Sequence, residues 1–120
     1  MAATGERKAM MFNILIKREE GYFLAHCLEL DIVATADTLK QVQDDVISLI
    51  NAQIDYAFAH DNLDNLYHPA PAEVWKEFFK CKETWEKKSK IKSRFRDEIP
   101  KSFIPPWIIA KMCKAISCHT

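Results

Sequence analysis

Several places in this chain hold residue types that can do chemistry. His26 and Cys27 are adjacent, and a cysteine nucleophile needs an imidazole placed to take its proton. In an extended segment neighbouring side chains point to opposite faces, so these two cannot hydrogen-bond to each other. The other reading of the pair is a core cysteine beside a surface histidine, since cysteine is among the most buried residue types. Cys113, Cys118 and His119 offer three zinc donors. Their spacing departs from two closely spaced cysteines followed by a distant second pair, and His119 lies where chain ends fray. Glu29, Asp31 and Asp37 raise the question of a ribonuclease-H-like two-metal site, which needs acids converging from a sheet and a helix. The segment before them offers only Asn13, Lys17 and Arg18 at polar positions, so the first-strand carboxylate is missing. Asp37 also suits the opening of a helix. The expectation is no catalytic residue, no metal and no cofactor, with a small metal-dependent nuclease as the weakest alternative.

The densest cationic segment is Lys87, Lys88, Lys90, Lys92, Arg94 and Arg96. In an extended chain Lys88, Lys90, Lys92, Arg94 and Arg96 share one side. Phe95 can stack on a base. The competing reading is a solvated basic loop neutralised by the acidic half of the chain. That half is real: residues 1–75 carry 12 acids and 5 bases, a net of −7, whereas residues 76–120 carry 5 acids and 12 bases, a net of +7.

The elements that position these groups come from periodicity. At 120 residues with 48% apolar content, one domain with its own core is expected, without help from disulfides. The cysteines Cys27, Cys81, Cys113 and Cys118 form no dense framework, which predicts reduced thiols in a cytoplasmic protein. Gly5 and Gly21 are the only glycines, which excludes the glycine-rich phosphate loops. No signal-type apolar core opens the sequence, and no run approaches the length of a membrane span. Residues 1–9 read as a loose arm. Met10–Arg18 alternates with period two and predicts a strand. Glu19-Glu20-Gly21 predicts a hairpin turn, Tyr22–Leu28 a second strand and Ile32–Thr35 a short third one. Thr38 and Gln41 fit a capping box. From there Leu39, Val42, Val46, Leu49, Ile50, Ile54, Ala57 and Phe58 recur at helical spacing to about His60. Pro71 suits the start of another helix, whose stripe Trp75, Phe78, Phe79, Lys82 and Trp85 extends the prediction to about Lys90. Trp107–Cys113 has strand character.

The block Gly21-Tyr22-Phe23-Leu24-Ala25-His26-Cys27, then Glu29-Leu30, then Asp37-Thr38-Leu39, resembles the N-terminal domain of the HicB antitoxin family over about Met11–Phe58. Leu28 and Asp31 stand where that family usually has prolines, and Ala36 where it usually has glycine. Family members usually end in a helix-turn-helix or ribbon-helix-helix DNA-binding domain, and Lys76–Thr120 shows neither pattern. The resemblance implies an α+β fold: a three- to four-stranded, mainly antiparallel sheet, with a long helix packed on one face. Residues 10–120 would form one domain, Trp107–Cys113 its last strand, and 61–99 a helical, basic insertion or extension. It implies a non-enzymatic protein-binding module that neutralises a small basic ribonuclease toxin, or a solitary, diverged copy of one. Nucleic-acid binding through 87–96 is the alternative. The residues nominated for partner binding are Tyr22, His26, Glu29, Asp31, Trp75 and Phe79. The second sheet face, with Met11, Leu15, Tyr22 and Leu24, is too apolar to leave wet. A homodimer or higher homo-oligomer is therefore expected.

Overall fold

The computed structural model describes residues 9–60, 66–90 and 107–114. The fold is α+β. Its elements in chain order are β1 (Ala9–Glu19), β2 (Tyr22–Cys27), β3 (Ile32–Ala36), α1 (Leu39–Ala59), α2 (Ala72–Phe79), β4 (Thr84–Lys90) and β5 (Trp107–Lys114). Among the described residues the strands make one five-stranded sheet in the order β3-β2-β1-β5-β4. The pair β1–β5 is parallel and the other three pairs are antiparallel. The sheet is therefore mixed and wider than the three or four strands expected.

Local chemistry explains most of the boundaries. Glu19 pairs with Tyr22, so Glu20 and Gly21 form a two-residue turn, and Gly21 takes φ +84°, which glycine accepts without steric cost. The turn from β2 to β3 places Asp31 at φ 55°. Proline is locked near −65° and cannot stand there. The Leu28 N–H donates to the Asn13 carbonyl at 2.9 Å, a bond that proline also lacks. The turn thus excludes proline at both Leu28 and Asp31. At the start of α1 the Thr38 hydroxyl accepts from the Gln41 N–H at 3.1 Å. The Gln41 side chain, however, donates to Asp45 at 2.7 Å, so it is engaged along the helix rather than reaching back as a capping box requires.

Period two sorts the sheet into two faces. Phe12, Ile14, Ile16, Ala25, Cys27, Ala34, Ile108, Ala110 and Met112 pack against Val42, Val46, Ile50 and Ile54 of α1. The helix lies mainly over β3 and β2. Its far flank is tied to β4, where the Trp85 indole N–H donates to Gln43 at 3.0 Å and Lys87 to Asp44 at 2.9 Å. On the opposite face Leu15, Leu28 and Cys113 pack with Ala70 and Phe78. Two helices therefore sandwich the sheet, a three-layer arrangement.

Three expectations need correction. The second helix does not run to Lys90. It stops at Phe79, and Thr84–Lys90 is a strand, so the segment 61–99 adds sheet as well as helix. Trp85 consequently lies on the α1 face of β4 instead of extending the α2 stripe. The β-branched and aromatic content of Thr84-Trp85 and the open edge of β5 explain the change, because strand propensity depends on having a neighbour to pair with. Second, Cys81 and Cys113 form a disulfide, with Cα atoms 6.0 Å apart, so these two are not free thiols. Third, Leu15 is fully buried by α2 within one chain. Part of the supposedly wet face is already covered, and that residue no longer argues for an oligomer.

Candidate binding surface

The register decides which nominated residues share a surface. Tyr22 pairs with Glu19 and His26 with Leu15. Both side chains therefore lie on the face that α2 covers, opposite to α1. His26 Nε2 lies 2.6 Å from a carboxylate oxygen of Asp31, which draws Asp31 to the same face. Glu29 joins them by another route. Beyond Cys27 the chain turns away from β1, and the Glu29 carboxylate takes the next rung. It accepts the Asn13 N–H at 2.8 Å and the Asn13 side-chain amide at 2.6 Å. A carboxylate accepts two donors well, and here it stands in for a strand carbonyl. Glu29 thus has a structural task.

Trp75 and Phe79 come to this face on α2. Leu15, Leu28 and Phe78 anchor the helix, and Lys17 meets Glu77 across the layers at 2.9 Å. Helical spacing then separates the aromatics. Phe78 points inward and is buried, Trp75 is half-buried, and Phe79 is 73% exposed. The Trp75 and Phe79 rings are 6.1 Å apart. All six residues nominated for partner binding therefore lie on one side of the sheet. Tyr67 lies apart from this set, against Phe12 of the α1-side core. Its phenol is pushed up by burial and by the Glu29 charge, and its ring stacks on Phe12 at 6.5 Å. No periodic signal marks Tyr67, because it lies in the irregular segment before α2. Asn13 was visible only as a polar interruption of an apolar strand.

The candidates for chemistry are placed apart. His26 and Cys27 point to opposite faces. Cys27 is fully buried, and burial pushes its thiol up to about 12, so it holds its proton. Cys113 is bonded to Cys81, and Cys118 and His119 lie outside the described residues. Among the described residues no three His, Cys, Asp or Glu side chains converge to share a metal ion. The basic set divides across β4. Lys87 faces α1 and reaches Asp44, whose carboxyl is held below the usual range by Lys87 and then Lys40. Lys88 is exposed on the other face, the strand position of Lys90 is on that same side, and Lys92, Arg94 and Arg96 lie outside the described residues.

No helix among the described residues is long and apolar enough to cross a membrane. No protein-family model, curated protein or solved structure matches the chain.

Proposed function

We propose that this chain is a non-enzymatic protein-binding module of HicB-antitoxin type that acts on a small basic ribonuclease toxin. The observation that carries the reading is the single face that gathers Tyr22, His26, Asp31, Trp75 and the exposed Phe79. Aromatic side chains with a polar rim are what protein interfaces favour. Two further features support it. The strand after the helical segments, β5, joins the same sheet, as the resemblance implies for a last strand. The net −7 of residues 1–75 complements a basic partner and speeds encounter.

The test is co-expression with any small basic ribonuclease encoded beside this gene, scored by growth rescue and co-purification. Trp75→Ala and Phe79→Ala should each weaken the complex by roughly 30-fold, the usual cost of an aromatic hot spot. A folded chain that rescues no cell from any such toxin refutes the reading. Nucleic-acid binding is the second reading, favoured by Lys88 and Lys90 on one side of an edge strand. Its mark is affinity that falls steeply with salt and drops on neutralising Lys88, Lys90 and Arg94.

A further inference from the structure

The two edges of the sheet are built differently. At one end β4 reads Thr-Trp-Glu-Lys-Lys-Ser-Lys, an edge defended by charge as natural sheets usually defend theirs. At the other end β3 reads Ile-Val-Ala-Thr-Ala, with no charge and no proline. Among the described residues no strand follows β3, so alternate backbone N–H and C=O groups there have no ladder partner. Beside this edge runs a groove of about 490 Å³ between β3 and α1, lined by Ala34, Thr35, Asp45, Ser48, Leu49 and Ala52. The α1 wall continues as an exposed apolar stripe: Leu49 is 42% and Tyr56 57% exposed.

We propose that this edge is a homodimer interface, in which β3 pairs antiparallel with β3 of a second copy and the two α1 helices pack side by side. The geometry selects a second copy over an unrelated strand. Antiparallel pairing about a two-fold axis normal to the sheet keeps both α1 helices on one face. Because α1 lies mainly over β3 and β2, its axis is about one strand spacing, ~4.8 Å, from that two-fold. The paired helix axes then stand about 10 Å apart, the distance at which helices pack. Facing Cα atoms come within roughly 5 Å of each other, given the ~2.3 Å helix radius, and Ser48 and Ala52 are small enough to allow it. A lone foreign strand would satisfy the β3 backbone but leave Leu49 and Tyr56 in water. Asp45 lies off the centre of the stripe, so an antiparallel arrangement separates its two copies. About a dozen residues a side bury on the order of 800 Å² in total, below a standard specific interface and in the range of weak, transient encounters. The dimer is therefore weak and reversible.

The experiment is sedimentation equilibrium of the full chain alone over micromolar to millimolar concentration, so its outcome does not depend on any toxin. The wild type should show a monomer–dimer equilibrium. Leu49→Lys with Ala52→Arg places like charges across the two-fold at exposed positions. It should weaken the dimer at least ~100-fold without changing the circular dichroism. Hydrogen exchange of the wild type gives an independent reading: the Val33–Thr35 amides should gain protection as concentration rises. A wild type that stays monomeric at millimolar concentration overturns the proposal. So does a dimer that survives the double variant, or one whose β3 amides are indifferent to concentration.

Discussion

Reducing the Cys81–Cys113 bond should cost this protein a large share of its stability and release one helix first. The bond closes a loop across 32 positions. Loop-closure entropy for that length is worth about 4 kcal/mol in the unfolded chain. For a chain of 120 residues that corresponds to a melting-temperature drop of about 15 °C. The loss has a definite location. Cys113 is buried in β5 beside Leu15, and Cys81 follows directly after α2. The bond therefore staples the α2 layer to the sheet, and Phe78 is the only buried side chain within that eight-residue helix. The assay is thermal unfolding by circular dichroism with and without a phosphine reductant, repeated on Cys81→Ser. Thiol titration of the unfolded, unreduced protein comes first. In a Cys118→Ser background it should count one thiol, Cys27, and three after reduction. Hydrogen exchange should then show the α2 amides opening before those of α1. A count of three thiols without reductant refutes the bond. A bonded protein whose melting temperature moves by less than about 3 °C on reduction refutes the entropic reasoning.

Other expectations follow from burial and charge. Ile50 is fully buried between α1 and the sheet, so Ile50→Ala should cost about 3 kcal/mol in denaturant unfolding, whereas Tyr56→Ala, at an exposed position, should stay within about 0.5 kcal/mol. Asp44 is depressed below its ordinary 3.8 by Lys87 and then Lys40. Its contribution is complete above 3.8 and lost as pH falls below it. Asp44→Asn should thus destabilise the neutral-pH protein by about 0.5–1 kcal/mol, and the gap to wild type should close in acid. Cys27, pushed up to about 12 by burial from an ordinary 9.0, should resist thiol reagents in the native protein at pH ~8 and react at once on unfolding. Its neutral form favours the fold below pH 9.0, and that advantage fades as pH rises from 9.0 towards 12.

The sequence alone determined whatever depends on neighbours a few residues apart. The alternation of Phe12, Ile14 and Ile16, the glycine at 21, and the helical stripe from Leu39 onward each give a local signal that packing then reinforces. The opposite orientations of His26 and Cys27 follow from strand geometry alone. Tertiary structure decided the rest. Thr84–Lys90 became a strand because β5 offered it a ladder, and an isolated window contains no information about such a neighbour. Cys81 met Cys113 because α2 folds back over the sheet, a pairing that spacing cannot specify. Glu29 acquired its place from the Asn13 amide, which only the turn after β2 brings within reach. The clustering of Tyr22, His26, Asp31, Trp75 and Phe79 on one face, and the β3 edge left without a neighbouring strand among the described residues, depend on strand order. Strand order is set by which long-range pairings bury the most apolar surface for the loop entropy they cost. That balance belongs to the whole chain, and no segment of it carries the answer.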